Sequence, residues 1–218
     1  MTYKDALKND KRKFFSYYIY LIMAKHPLIF SFCPIKDYNS KIIKIDILFL
    51  SFSIYYFFNA LFFNEPVIHK IYEDEGIYNF IYLIPFILYS FIISYILIII
   101  IKYFSLSERN IIEIKLEKNI SKVNSKVDKI KKKLIIKNIL FFIIGIFLLL
   151  FLWYYLSSFG AVYQNSQVYL IKNTLISFGF SLIYPFIINI LVGIIRIYSL
   201  KKSNRQSIYK FSIIIQFL

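Results

Sequence analysis

Four stretches of the chain run without an ionised side chain: Ile47 to Asn64 (18 residues), Gly76 to Ile101 (26), Asn138 to Ile171 (34) and Asn173 to Ile195 (23). A bilayer core needs about 20 predominantly apolar residues when it is crossed as a helix. A helix also satisfies its own backbone in lipid. The pattern predicts four spans, at Ile47 to Phe63, Ile77 to Ile101, Ile139 to Leu156 and Thr174 to Ile195. The third stretch is too long for one span. Its polar second half, Ser157 to Gln167, reads as an outer loop, with a re-entrant turn or pore lining as the alternative.

Between spans two and three the period changes. Leu116, Ile120, Val123, Val127, Ile130 and Leu134 recur at alternating steps of four and three, a heptad seam with lysine on most of the other positions. This predicts a long amphipathic helix, and Ser105, three residues before Glu108, suits a capping box at its start. Its stripe fits a coiled coil with a second copy or a partner helix through residues 108–134, or a linker lying on headgroups. Near the N-terminus, Phe14 to Ala24 is an apolar run of 11 residues behind basic residues. No small-residue cleavage site follows, and Lys25, His26 and Pro27 end the run, so it reads as an interfacial aromatic helix and not as a signal peptide or a fifth span.

Composition agrees with a membrane class. Of 218 residues 59 % are hydrophobic and 18 % charged, and the mean hydropathy is +0.62. One cysteine, Cys33, excludes an intramolecular disulfide and a cysteine-based zinc cage. The net charge of +15 changes the picture through its distribution. Nine Lys and Arg precede span one, eleven lie between spans two and three and five follow span four, while the other two loops hold Lys70 and Lys172 alone. With 25 of 27 on one side, the positive-inside rule places both termini in the cytosol and the charge against an anionic inner leaflet. Lysines split over three segments without a recognition motif do not suggest nucleic-acid binding.

The expected fold is thus an all-α membrane protein, a polytopic bundle of four transmembrane helices with a long amphipathic cytosolic helix between spans two and three. Residues 1–46 form a basic cytosolic or interfacial segment, 47–101 a first hairpin, 102–138 the cytosolic helix, 139–195 a second hairpin and 196–218 a basic tail.

Candidate chemistry is sparse. Intramembrane polar or kink positions are Asn59, Pro85, Ser90, Ser94, Ser177, Ser181, Pro185 and Asn189, which suit interhelical hydrogen bonds or, less simply, a pathway. Pro85 and Pro185 each remove a helix hydrogen bond. Tyr55-Tyr56 ahead of Pro85 and Tyr154-Tyr155 ahead of Pro185 stand at nearly equal spacing, as a duplicated hairpin would have them. In the acidic first outer loop, His69, Glu73 and Asp74 are candidate metal ligands, against the simpler reading of a solvated acidic loop. No HExxH pair, glycine-rich phosphate loop or Gly-x-Ser-x-Gly elbow is present, so neither an enzyme nor a cofactor is expected. The sequon at Asn119 falls on the cytosolic side of this topology.

Several strings are more specific: Asn64-Glu65, His69-Lys70-Ile71-Tyr72-Glu73-Asp74-Glu75-Gly76, Leu106-Ser107-Glu108-Arg109-Asn110, Trp153-Tyr154-Tyr155, Ala161-Val162-Tyr163-Gln164-Asn165-Ser166-Gln167 and Ile208-Tyr209-Lys210. From about Lys25 onwards the chain resembles a recurrent C-terminal multi-span module of large transmembrane proteins of protists and other unicellular eukaryotes. The resemblance implies architecture and no mechanism. A large extracellular part usually precedes that module, and Val192-Gly193 stands where Pro-Gly is expected. The expected role is an integral membrane anchoring or scaffolding module, the alternative a channel or transporter subunit built on spans two and four.

Overall fold

The structure, a computed structural model, describes residues 3–33, 38–107, 111, 120–201 and 205–217. Among these residues there are nine α-helices and no strand: α1 (Tyr3–Asn9), α2 (Phe14–Lys25), α3 (Pro27–Phe32), α4 (Lys41–Phe62), α5 (Glu65–Glu73), α6 (Phe80–Ser105), α7 (Ile120–Val162), α8 (Gln167–Leu200) and α9 (Gln206–Phe217). Four of them, α4, α6, α7 and α8, are long and apolar enough to cross a membrane. They carry most of each of the four stretches read from the sequence, with residues 63–64, 76–79 and 163–166 falling outside them. Two compact units divide the chain, Lys36–Phe180 and Met1–Ile35 with Ser181–Leu218, the division falling inside α8.

In the unit Lys36–Phe180, α4 packs against both α6 and α7. Its buried face brings Ile54 and Tyr55 together with Ile98 and Leu152. Aromatic rings fill the spaces: Tyr55 stacks on Phe91 at 6.3 Å and meets Phe178 edge-on at 5.9 Å. Lipid is as apolar as these side chains, so close packing and ring geometry, more than expulsion of water, favour this association.

A second cluster gathers Phe63, Val67, Ile68, Leu83, Leu156 and Phe159, with α5 laid over it. Helix α5 starts at Asn64, whose Oδ1 accepts from the Val67 N–H at 3.3 Å, with Pro66 in the first turn. Val67, Ile68 and Ile71 face the cluster, while Glu65, His69, Tyr72 and Glu73 face outwards. The chain then reverses through Glu75 (φ 51°) and Gly76 (φ 78°), and the Gly76 N–H donates to the Ile71 carbonyl at 3.0 Å.

Two sequence expectations are corrected here. Ser157 to Gln167 is not a loop: α7 runs to Val162, and only Tyr163 and a 3-10 turn over Gln164–Ser166 separate it from α8. The polar groups that suggested a loop are satisfied locally. The Ser158 hydroxyl donates to the Tyr154 carbonyl at 3.0 Å, the Gln167 side-chain amide to the Gly160 carbonyl at 2.8 Å, and Phe159 joins the buried cluster. Ser105 does not cap a following helix either. It is the last residue of α6, and its hydroxyl donates back to the Ile101 carbonyl at 2.7 Å. Leu116 and Asn119, like Glu108, lie outside the described residues.

The prolines occupy unlike positions. Pro85 is in the second turn of α6, whereas Pro185 is near the middle of α8.

Gly76 provides a test of the reversal after α5. A Cβ there would come within 3.0 Å of the Tyr169 hydroxyl, which donates to the Gly76 carbonyl at 2.6 Å, and φ is left-handed as well. Gly76→Ala should therefore destabilise the purified chain in detergent by about 1–2 kcal/mol, with Tyr169→Phe restoring part of the loss by removing the crowded oxygen. A melting temperature unchanged in Gly76→Ala would overturn this account.

Candidate functional site

Inside the spans the decisive polar contact is between Asn59 on α4 and Ser177 on α8. Asn59 is 2 % exposed and Ser177 fully buried. The Asn59 amide donates to the Tyr55 carbonyl at 2.8 Å and to the Ser177 hydroxyl at 3.0 Å. A serine has one proton to give. The Asn173 carbonyl at 2.9 Å is its shortest acceptor, with Asn59 Oδ1 at 3.2 Å and the Ile87 carbonyl of α6 at 3.4 Å within reach. Three helices therefore meet at one hydroxyl.

Near the end of α8 in the same unit, Tyr78 donates to Asn173 Oδ1 at 2.5 Å and stacks on Tyr169 at 6.3 Å. Lys172, expected in a loop, lies within α8 and places its ammonium over both rings, 5.3 and 5.8 Å from their centroids.

Ser90 and Ser94 are fully buried on α6 and Asn189 on α8, without hydrogen-bond partners for the serine hydroxyls or for either amide atom of Asn189. Asn59, Ser90 and Asn189 line none of the described cavities. On α5, His69 Nε2 is 3.2 Å from Glu73, but Lys70 takes up the carboxylates, 3.1 Å from Glu73 and 3.2 Å from Asp74. Bonds from Asn79 and then Lys70 hold the Asp74 carboxyl below its usual range, as a neutralised pair requires. Among the described residues no group of three His, Cys, Asp or Glu could hold a metal. Of the heptad seam, Val127 is 37 % exposed and Ile130 and Leu134 are half-buried. The side chains of Leu116, Ile120 and Val123 lie outside the described residues. Cys33 is a free, exposed thiol after α3.

Sequence reasoning missed an ionic cluster in the unit Met1–Ile35 with Ser181–Leu218. Asp10, its side chain 4 % exposed, receives a two-pronged contact from Arg12 at 2.8 and 2.9 Å and a third bond from Arg196 of α8 at 3.0 Å. Arg196 is itself buried and lies 4.5 Å from the Tyr209 ring centroid and 5.4 Å from that of Tyr17. The Tyr3 hydroxyl donates to the Ser199 carbonyl at 3.2 Å and accepts from the Arg205 N–H at 3.1 Å, joining α1 to the end of α8. In the sequence Arg196 is only the charge that ends an apolar stretch; the rings that cover its guanidinium, Tyr17 and Tyr209, lie far from it along the chain.

The Asp10 carboxyl is held down at about 2, first by the Arg12 hydrogen bonds and, beyond the opposing cost of burial, by Arg196. Folding therefore favours the ionised form. Its contribution is complete above about pH 4 and is lost as pH falls through about 2, amounting to about 2 kcal/mol. Melting in detergent between pH 7 and pH 2 should show this decline, and Asp10→Asn, which leaves Arg196 buried without a counter-charge, should lower stability at pH 7 by about 3 kcal/mol. A variant as stable as the parent at pH 7 would remove the cluster's structural role.

No family model matches the chain, and no similar chain is found among curated proteins or solved structures.

Proposed function

We propose that the chain is an integral membrane anchoring and scaffolding module, with both termini and the basic half of α7 in the cytosol. The observation that carries this reading is the continuity of α7. Its 43 residues extend about 65 Å, roughly twice a hydrocarbon core of about 30 Å. Seven lysines lie between Ile120 and Lys137 and no charge between Asn138 and Val162, so a span and a basic stalk share one helix without a joint. A partner held by the stalk is thereby fixed in distance and direction from the bilayer.

Only 6 % of the spanning window of α7 is buried, against 44 % in α4, which leaves an apolar surface for lipid or a second helix. Burial of Asn59, Ser90 and Asn189 supports the anchor over a channel or transporter subunit built on α6 and α8. Helix α2, about 18 Å long, is too short to cross, and its exposed Phe15, Ile19 and Tyr20 suit an interfacial position. The resemblance to the protist multi-span module belongs to this proposal as its architectural expectation.

Orientation is testable directly. Glycosylation acceptors introduced near Ile68 should be modified, the natural sequon at Asn119 should not, and an impermeant thiol reagent should reach Cys33 only after permeabilisation. Modification at Asn119 would reverse the orientation.

The scaffold role predicts that Val123→Asp with Val127→Asp lowers cross-linking between copies several-fold while insertion and orientation persist, because a carboxylate on the seam resists desolvation. Cross-linking and abundance unchanged in that variant would make the basic half of α7 a passive tether.

A further inference from the structure

In the unit Lys36–Phe180 a cavity of about 460 Å³ opens between α4, α6 and α7, and its lining is almost wholly apolar. Leu50 closes one wall, Ile101 and Phe104 another, and Leu140, Ile144 and Leu148 run along the third. At one end stand Lys133 and Lys137. The spacing 133, 137, 140, 144, 148 keeps these α7 residues on one helix face. Lys133 is exposed; Lys137 gives one hydrogen bond, to the Leu106 carbonyl at 2.6 Å, and an ammonium has two further protons to offer.

From Lys137 to Leu148 the groove covers about 16 Å of helix, close to the roughly 15 Å of hydrocarbon in one leaflet. Lys137 is also the last charge before the uncharged stretch of α7. The cationic end therefore falls at headgroup depth and the apolar part at acyl-chain depth. We propose that this groove binds an anionic glycerophospholipid, its phosphate at Lys133 and Lys137 and one acyl chain along Leu140, Ile144 and Leu148. Charge at one end and hydrocarbon along the rest match such a lipid in both chemistry and length, and a soluble anion would leave the apolar walls uncovered. The site rests on the membrane-embedded reading of α7 and not on its scaffold role.

The test uses the full chain in phosphatidylcholine bilayers. In a Trp153→Phe background, which removes the one native tryptophan, Phe141→Trp places a reporter in the groove, with Leu140→Trp as a second groove reporter. Phe147→Trp, exposed and outside the groove, is the control. Quenching by phosphatidylglycerol with brominated chains is compared with quenching by brominated phosphatidylcholine. Groove reporters should prefer the anionic lipid roughly fivefold or more, the scale expected for lysines at the surface, and the control should show little preference. Lys133→Gln with Lys137→Gln should abolish the groove preference. Lys131→Gln with Lys132→Gln, which changes lysines outside the groove, should leave most of it.

Equal quenching by both lipids at the groove reporters would overturn the site alone. So would a loss of preference as large with the Lys131 and Lys132 pair, since that is the signature of a diffuse lysine field. Absence of quenching at every reporter, the control included, would overturn the membrane placement of α7 and the site with it.

Discussion

Hydrocarbon offers no hydrogen-bond partner to a peptide group, and the described structure follows from that constraint. Apart from the bonds that Pro85 and Pro185 remove, a helix closes its backbone bonds within itself, which admits helices of α4, α6, α7 and α8 length. The same rule governs side chains. Ser51, Ser158 and Thr174 donate to carbonyls one turn back, so that a hydroxyl in an apolar helix is silent. Asn59 has more hydrogen-bonding capacity than its own helix can absorb. It reaches Ser177, and that contact selects which faces of α4 and α8 meet.

Charge obeys a related economy outside the hydrocarbon. On α5 the acidic groups remain in water and are paired with Lys70, an arrangement that contributes little to stability because solvent screens it. Asp10 and Arg196 are removed from water, and there the pair holds only because Arg12 supplies a second cation and tyrosine rings cover the guanidinium. Removing one member leaves a buried charge uncompensated, so the same interaction type is negligible at one place and structural at another.

The length of α7 connects the architecture to the proposed role. A helix longer than a bilayer core that changes abruptly from lysine-rich to uncharged would have its depth in a membrane set at Lys137. Its spanning part buries little of itself within the chain, and a surface of that kind is completed by lipid or by another protein. The proposed anchoring role and the proposed lipid-binding groove both rest on this one helix, on its basic half and on the groove beside Lys137.

The four helices long and apolar enough to cross a membrane were legible in the sequence, because the absence of charge over a bilayer's thickness is a local property of the chain. So was the acidic character of the segment over α5. Helix ends were less legible: Ser157 to Gln167 has loop-like composition, yet Ser158 and Gln167 satisfy their polar groups against α7, which composition does not record. Pairings were not legible at all. Asn59 meets Ser177 across 118 positions and Asp10 meets Arg196 across 186, and nothing local to either residue names its partner. Periodicity states which face of a helix is apolar; which face it is pressed against is decided only when helices distant in the chain are packed, because that choice depends on shape and on satisfying every buried polar group at once.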